Sequence, residues 1–257
     1  MLLAAAFFVG CKQETVAPLL RMPGYSVHGV DVSHYQNSIN WDSVAATGVQ
    51  FAFVKATEGE TWQDSFFCKN WEKMRQVGLK RGAYHFFNPS LNTQLQAENF
   101  LDLIDLRPGD LPPVVDIEGR EGVSDAVLVA KLRVWLWKVE QKTGARPIIY
   151  TNMNFYEKWL AGHFDEYPLW IARFSDEKPI ISPGNDWVFW QYANHGRLSG
   201  VAGPVDFNVF RGQLSELERL CIPAPEPVNT GFSVAAAVTR QPVRAQKHGS
   251  PAVLPAP

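Results

Sequence analysis

The residues with the clearest chemical potential in this sequence are two carboxylates, Asp116 and Glu118, which follow the apolar run Leu111–Val115. On a β-strand, side chains at positions i and i+2 point to the same face, so these two acids would lie side by side. Two neighbouring carboxylates rarely ionise together, and the pKa of one of them is usually raised. A carboxyl group that can give up a proton, beside one that stays charged, is what glycoside hydrolysis requires. The same spacing also occurs on ordinary protein surfaces, so its meaning depends on the elements around it.

The composition is that of a folded protein without a nucleic-acid partner. The chain has 257 residues, of which 46% are hydrophobic and 19% charged, enough to fill the core of one large α/β domain or two small ones. A net charge of −2 gives no support for nucleic-acid binding, which needs a basic face. Nine Trp residues suit a sugar-binding cleft and a large core equally well.

The two ends of the chain predict segments outside the folded domain. Residues 1–11 join a short apolar run to Gly10-Cys11 and resemble a signal peptide that ends in a bacterial lipobox, although no Lys or Arg precedes the run. We therefore expect an exported, monomeric lipoprotein in the periplasm or at the cell surface, anchored to the membrane by a lipid on Cys11. A simple secretory signal is the alternative. Residues 12–26 are predicted as a tether, 27–223 as the folded domain, and the Pro- and Ala-rich residues 224–257 as a disordered tail.

The cysteines do not predict a metal site or a cofactor. No Cys/His spacing is typical of a metal centre. Export would place Cys68 and Cys221 in an oxidising compartment, where they either pair or remain as two buried thiols.

Short apolar runs alternate with helical patterns through most of the folded part. The clearest helix is predicted for Asp125–Lys142, with Ser124 as its cap and Gly144 as its end. Eight strands are predicted at Val27–Val32, Gln50–Lys55, Lys80–Phe87, Pro112–Ile117, Pro147–Tyr150, Leu169–Ala172, Val188–Tyr192 and Val205–Val209. This order predicts an α/β fold with a largely parallel sheet, closed into an irregular (β/α) barrel of eight strands with fewer than eight helices. A doubly wound open sheet is the alternative, but no Gly-rich loop follows Val32.

Polar residues collect where the predicted strands end, and in a β/α barrel the catalytic groups lie at the carboxyl ends of the strands. Asp31 ends the first strand, Asp116 and Glu118 end the fourth, and Asp206 lies in the last. We therefore expect these four acids to surround a single cleft. His85, within the third strand, is interpreted as a packed, hydrogen-bonded histidine and not as a catalytic base.

Several short motifs, taken in order, resemble the family 25 glycoside hydrolases, the Chalaropsis-type lysozymes. They are Val30-Asp-Val-Ser33, Phe53-Val-Lys-Ala-Thr-Glu-Gly59, Gly82-Ala-Tyr-His-Phe86, Val115-Asp-Ile-Glu118, Leu169-Trp-Ile-Ala172, Trp190-Gln-Tyr192 and Val205-Asp-Phe-Asn208. The resemblance spans about residues 27–220 and implies an irregular barrel of eight strands. It also implies cleavage of the β-1,4 bond between N-acetylmuramic acid and N-acetylglucosamine, so that peptidoglycan glycan strands would be the partner.

The resemblance also implies roles for individual residues. Glu118 matches the general acid and Asp116 the second essential carboxylate, which would stabilise the transition state, orient the substrate's N-acetyl group or attack directly. Asp31 and Asp206 match two further aspartates of the family's active site. Candidates for sugar contacts are Tyr84, Tyr150, Trp190 and Tyr192, with core packing as the alternative for Trp190. Arg173 would meet the lactyl carboxylate of muramic acid or pair with an acidic side chain.

Two other functions stay open at this stage. A chitinase-like glycosidase usually carries the longer motif Asp-x-x-Asp-x-Asp-x-Glu, whereas here Pro112, Pro113, Val114 and Val115 precede Asp116. A non-catalytic, membrane-anchored peptidoglycan-binding protein is the second alternative, and the presence of all four acids argues against it.

Overall fold

The computed structural model describes residues 21–181 and 186–225. The predictions for residues 1–11, including the lipid on Cys11, and for nearly all of the tail 224–257 lie outside the described residues. So does the tether prediction for residues 12–20.

Nine strands form one sheet in the described part of the chain. They are β1 (Val27–Val32), β2 (Phe51–Glu58), β3 (Trp62–Gln63), β4 (Lys80–Phe86), β5 (Val114–Asp116), β6 (Ile148–Asn152), β7 (Leu169–Ala172), β8 (Trp187–Gly196) and β9 (Val205–Phe210). Each predicted strand overlaps one of these, and the two-residue β3 is the addition. It pairs antiparallel with the end of β2.

The other eight strands close into a barrel. Their order around the ring is β1-β2-β4-β5-β6-β7-β8-β9, and β9 pairs back onto β1. Neighbours from β1 to β8 run parallel, whereas β9 is antiparallel to both β8 and β1. The predicted irregular barrel is confirmed, and the alternative of an open sheet is wrong.

Six helices pack around this barrel within the described residues. They are α1 (Trp41–Ala46), α2 (Phe67–Gln76), α3 (Thr93–Leu103), α4 (Asp125–Thr143), α5 (Met153–Phe155), which continues as a π-helical turn over Tyr156–Leu160, and α6 (Leu214–Leu220). The predicted caps of the longest helix are confirmed. The side chain of Ser124 accepts a hydrogen bond from the backbone N–H of Val127, and Gly144 ends α4 with a φ of 68°.

Side chains that point into the barrel form two layers. The lower layer is aromatic, with Phe51, Phe53, Trp170 and Phe189 all buried. Gly29 gives the Phe51 ring room, because a Cβ atom there would lie 2.3 Å from it; Gly82 does the same for Phe53. The upper layer is polar and includes Asp31 and Asp116. On a strand, residues separated by an even number of positions share one face. Both aspartates are separated in this way from an inward apolar residue of their own strand, so both point into the barrel.

The segment 21–26, predicted as the end of a tether, belongs to the folded domain. Met22 is buried, and its backbone N–H donates to Nε2 of His28 at 3.1 Å. The ring of Tyr25 packs against Trp187 and Trp190, with centroid distances of 5.9 Å to each. In the part of the predicted tether that the structure describes, these two apolar side chains therefore pack against the barrel wall.

The two cysteines within the described residues are not paired with each other. Cys68 is exposed and Cys221 is buried, and both are free thiols. The disulfide alternative is wrong, and so is the expectation that both thiols are buried, since Cys68 lies on the outer side of α2. Among the described helices, none is both long enough and apolar enough to cross a membrane.

Candidate active site

A cleft of about 370 Å³ opens at one mouth of the barrel and gathers the predicted acids. Its walls are formed by Asp31, Tyr84, Asp116, Glu118, Tyr150, Trp170, Phe174, Gln191, Asn194 and Asp206. A larger hollow of about 700 Å³ lies on the outside of the barrel, against α3 and α4. We place the site in the smaller cleft because four carboxyl groups converge there from different strands.

Asp206 reaches this mouth by a different route from the other acids. Asp31 and Asp116 lie at the carboxyl ends of β1 and β5, whereas Asp206 is the second residue of β9. Because β9 runs antiparallel, its amino end lies at the same edge of the barrel, and Asp206 stands directly opposite Asp31 in the β1–β9 ladder. The last strand therefore supplies its acid from its start and not from its end.

Asp31 is held by hydrogen bonds from two side-chain amides. Nε2 of Gln191 donates to its Oδ1 at 2.9 Å, and Nδ2 of Asn208 donates to the same atom at 2.6 Å. Each amide oxygen is itself occupied: Tyr150 Oη donates to Gln191 at 2.8 Å, and Trp170 Nε1 donates to Asn208 at 2.8 Å. These contacts fix both amides with their donors facing Asp31, which favours its charged form.

Asp31 and Asp206 share their protonation. Burial raises the pKa of Asp31, and the hydrogen bonds from Asn208 and Gln191 lower it in part. Burial, followed by the charge of Asp31, raises the pKa of Asp206 to about 9. Because the amide donors point at Asp31, we place the charge on Asp31 and the proton on Asp206, which donates to Asp31.

Asp116 and Glu118 differ in how deeply they lie. Asp116 is only 7% exposed, and within the described residues its Oδ1 has no hydrogen-bond partner. Burial, and next the charge of Glu118, raises the pKa of Asp116 well above its ordinary value, against the opposing charge of Lys55. Glu118 lies exposed at the mouth, and the partial burial of its carboxyl raises its pKa as well, while a hydrogen bond from Asp116 lowers it.

The pair therefore favours a single shared proton at neutral pH. A raised pKa of Glu118 agrees with the expected role of an acid. The expectation that Asp116 stays charged does not fit this geometry, because Asp116 is the more deeply buried carboxyl and gains more from being neutral.

The predicted sugar-contacting residues divide into two groups. Tyr84 and Tyr150 line the cleft. Trp190 and Tyr192 do not: they belong to the hydrophobic cluster outside the barrel wall, whereas Gln191 between them points inward. The prediction chose the wrong face of β8, since alternate side chains of one strand cannot share a face.

Arg173 is also placed away from the cleft walls. Its guanidinium donates to the backbone oxygen of Lys178 at 2.7 Å and pairs with Glu177 at 3.0 Å. Of the two predicted uses, the structure therefore shows the pairing with an acidic side chain, although the partner is in the following loop and not in the site.

His85 is a packed histidine, as interpreted from the sequence. It is fully buried, its Nδ1 lies 2.7 Å from the Thr57 hydroxyl, and its ring stacks on Trp135. Burial lowers its pKa to about 3, so it stays neutral.

Four residues of the site escaped prediction as site residues. Trp170 and Gln191 are inward residues of β7 and β8, Phe174 follows the end of β7, and Asn194 lies in the last part of β8. Strand alternation would identify Trp170 and Gln191 as inward residues if the inward face of their strands were known. Among the described residues, no group of three or more His, Cys, Asp or Glu side chains is arranged to hold a metal ion.

A closed β/α barrel with carboxyl groups of raised pKa at one mouth is an arrangement that suits glycoside hydrolysis. The model of the glycosyl hydrolases family 25 matches residues 30–201, and the chain belongs to this family.

Relatives of known sequence and structure agree with this assignment. The chain is 45% identical over 205 residues to the uncharacterized protein YegX of Escherichia coli K12, covering 77% of this chain and 75% of YegX. It is 35% identical over 222 residues to Lysozyme M1 of Streptomyces globisporus, covering 81% of this chain and 74% of that enzyme. Among solved structures, a family 25 glycosyl hydrolase from Bacillus anthracis superposes with a TM-score of 0.74 at 31% identity, over 80% of this chain and 98% of its own.

Proposed function

We propose that this protein is a muramidase that cleaves the β-1,4 bond between N-acetylmuramic acid and N-acetylglucosamine in peptidoglycan. Membership of family 25 and similarity to Lysozyme M1 support this reaction class. The observation that carries the proposal is the pair of Asp116 and Glu118, one carboxyl buried and one at the mouth, with pKa values raised by burial. Such a pair can hold a proton at neutral pH and release it to a substrate.

Glu118 is the proposed general acid. It is the exposed member of the pair, so its carboxyl can reach the oxygen of a glycosidic bond that lies across the mouth. When it gives its proton to that oxygen, positive charge develops on the sugar ring, and the carboxylates around the cleft stabilise this charge. A glycan that covers the mouth also removes water, which strengthens each of these interactions.

Asp116 is the proposed partner of Glu118. Its buried Oδ1 has no hydrogen-bond partner among the described residues, which suits an acceptor for the N–H of a substrate N-acetyl group. Of the three roles that the family resemblance leaves open, this contact favours the orienting one. The positive charge of Lys55 nearby lowers the pKa of Asp116 and helps it to ionise once the proton has moved to Glu118.

The place of action is a separate part of the proposal. A lipid on Cys11 would hold the enzyme at a membrane facing the cell wall, in the periplasm or at the cell surface, where its substrate lies. Mass spectrometry of the protein purified from membranes tests this, and an unmodified, uncleaved Cys11 in the membrane fraction would refute the anchor.

The test of the reaction is digestion of purified sacculi followed by mass spectrometry of the soluble fragments. We expect fragments with muramic acid at the reducing end, and we expect Glu118→Gln to release them about 10²–10⁴-fold more slowly. Glu218→Gln is a matched control, because it also replaces a carboxyl group by an amide, but on the exposed surface of α6. Fragments with glucosamine at the reducing end would instead support the chitinase-like alternative, and binding to sacculi without release of fragments would support a non-catalytic protein.

A further inference from the structure

Exposed aromatic side chains stand on two opposite sides of the cleft. Trp62 lies in β3, which pairs with the end of β2, and Phe174 follows the end of β7. Around the ring of eight strands, three strands separate β2 from β7 in either direction, so these two strands face each other across the barrel. The acids of the cleft lie between the two aromatic sites.

The side near β2 carries a compact group of three rings, His34, Tyr35 and Trp62, which we call the aromatic shelf. Tyr35 is 76% exposed and Trp62 is 40% exposed. The His34 ring lies between them, with centroids 4.1 Å from Tyr35 and 5.1 Å from Trp62. Buried Asp64 fixes His34 by accepting a hydrogen bond from its backbone N–H at 2.8 Å. The shelf is therefore held in place while two of its rings face solvent.

Lys55 connects the shelf to the acids. Its Nζ lies 5.1 Å from the centroid of the Trp62 ring and 2.7 Å from Oε2 of Glu58. The same buried ammonium acts electrostatically on Asp116 and Glu118. One side chain therefore lies against the shelf and acts electrostatically on the carboxyl groups of the cleft.

The side near β7 carries Phe174, which lines the cleft and is 56% exposed. Its position is set by the residue before it, since the backbone N–H of Arg173 donates to the backbone oxygen of Gln191 at 3.0 Å. The guanidinium of Arg173 is held by the following loop, as described above. The backbone hydrogen bond to β8 therefore fixes the residue directly before Phe174.

A β-1,4-linked glycan fits these surfaces better than a protein partner does. The C–H groups of a pyranose carry small positive charges and pack on the negative face of an aromatic ring, while its hydroxyl groups remain hydrated or find polar partners. The exposed rings here alternate with polar groups, namely the ion pair of Lys55 with Glu58 and the pair of His34 with Asp64. They also flank a cleft of about 370 Å³, which can hold only a short stretch of a chain.

We propose that the aromatic shelf and Phe174 bind sugar residues on either side of the cleaved bond, so that a glycan strand crosses the mouth from the β2 side to the β7 side. The inference rests on the proposed muramidase activity and extends it to the length and path of the substrate. Longer strands would contact both aromatic sites, and the shortest cleavable fragments would contact neither fully.

The test compares Trp62→Ala, Phe174→Ala and the control Trp137→Ala in the full-length chain. Trp137 is 61% exposed on α4, away from the cleft, so its loss removes an exposed indole without touching the proposed path. We measure kcat/KM on peptide-free glycan strands of defined length. Each cleft-side variant should lose about tenfold on long strands, the equivalent of 1.4 kcal/mol of binding, with less than half of that loss on the shortest cleaved fragments. Trp137→Ala should match the unmodified protein on both.

A loss that is equal for long and short strands, or no loss in either cleft-side variant, would overturn the proposed path. A second measurement, the binding of the same strands by Glu118→Gln with and without each aromatic substitution, does not depend on turnover. If the unmodified protein releases no fragments from sacculi, the muramidase proposal fails. The glycan-binding surface would then stand or fall on this binding measurement alone.

Discussion

Two groups of buried charged residues at opposite ends of the barrel wall are organised in opposite ways. At the amino end of β4, Arg81 forms a bidentate pair with Asp110, with N···O distances of 2.7 and 3.0 Å, and donates to the backbone oxygen of Trp71 at 2.6 Å. At the mouth, burial is the largest cause that raises the pKa values of Asp31, Asp116 and Asp206.

The difference separates a structural site from a reactive one. Arg81 also lies 4.0 Å from the centroid of the Trp71 ring, so its buried charge is compensated on every side. At the mouth, by contrast, several carboxyl groups lie close together and buried, although their charged forms would be more stable in water. Folded proteins hold such unfavourable groups at functional sites, where the substrate supplies the missing partners.

The largest effect is expected at the mouth, on activity. Glu118→Gln removes the proton donor but keeps the size of the side chain, and it should lower kcat on purified peptidoglycan by about 10²–10⁴-fold, the usual contribution of a general acid. The thermal stability should not fall, because the amide oxygen of Gln can still accept the hydrogen bond that Asp116 donates to Glu118. Near-full activity in this variant, measured as reducing ends released per minute, would refute the assignment.

The next largest effect is expected at the amino end, on stability. Arg81→Met leaves Asp110 buried without its partner and should lower the free energy of unfolding by about 3–5 kcal/mol. Arg75→Met is the matched control, because Arg75 and Glu72 form an exposed pair whose loss should leave the free energy of unfolding nearly unchanged. Urea unfolding followed by circular dichroism measures both. Equal losses in the two variants would show that the Arg81 pair is no more structural than a surface contact.

A smaller effect on activity is expected where side-chain amides donate hydrogen bonds to a buried carboxyl group of the mouth. Asn208→Ala removes one donor to Asp31 and leaves the indole N–H of Trp170 without its acceptor. Hydrogen bonds to charged groups contribute about 1.5–3 kcal/mol, so we expect kcat/KM to fall by roughly 10–100-fold. Loss of the donor also raises the pKa of Asp31, which should shift the acidic limb of the pH–rate profile to higher pH. A fall in activity with an unchanged profile would mean that Asn208 acts only through packing.

The smallest effect is a gain of stability at the mouth. Since the pKa of Asp206 is raised to about 9 in the folded state, the folded protein binds its proton more tightly than the unfolded chain does. The stability that this proton adds to the folded state is complete below about pH 4 and is lost as the pH rises toward 9. Asp206→Asn cannot ionise, so its stability does not fall in this pH range for that reason. We expect the variant to melt roughly 2–4 °C above the unmodified protein at pH 9, about 1 kcal/mol after allowance for solvent screening, and at the same temperature near pH 4.

The control for this comparison is Asp165→Asn, which changes an exposed aspartate outside the cleft. Its melting temperature should follow that of the unmodified protein at both pH values. If Asp206→Asn also melts with the unmodified protein at both pH values, ionised Asp206 does not destabilise the folded protein at pH 9.

Most of the barrel could be predicted from the sequence because its signals are local. The apolar run before Asp116, the periodicity between Ser124 and Gly144, and the alternation of strands with helices all depend on residues close in the chain. The i, i+2 relation of Asp116 and Glu118 is equally local, and the four acids do meet at one mouth. The short β3 and the packing of residues 21–26 were missed, because both depend on partners distant in sequence.

The sequence by itself determined that carboxylates end the strands of a β/α barrel, since strand periodicity and residue type are properties of a few neighbouring positions. The tertiary structure alone decided which side of each strand faces the cleft. In β8 both faces are apolar, so nothing local distinguishes Trp190 and Tyr192 on the outside from Gln191 on the inside. The antiparallel entry of β9, which brings Asp206 opposite Asp31, was decided in the same way. Both outcomes follow from the closure of the ring, in which the register of each strand is set by its neighbours.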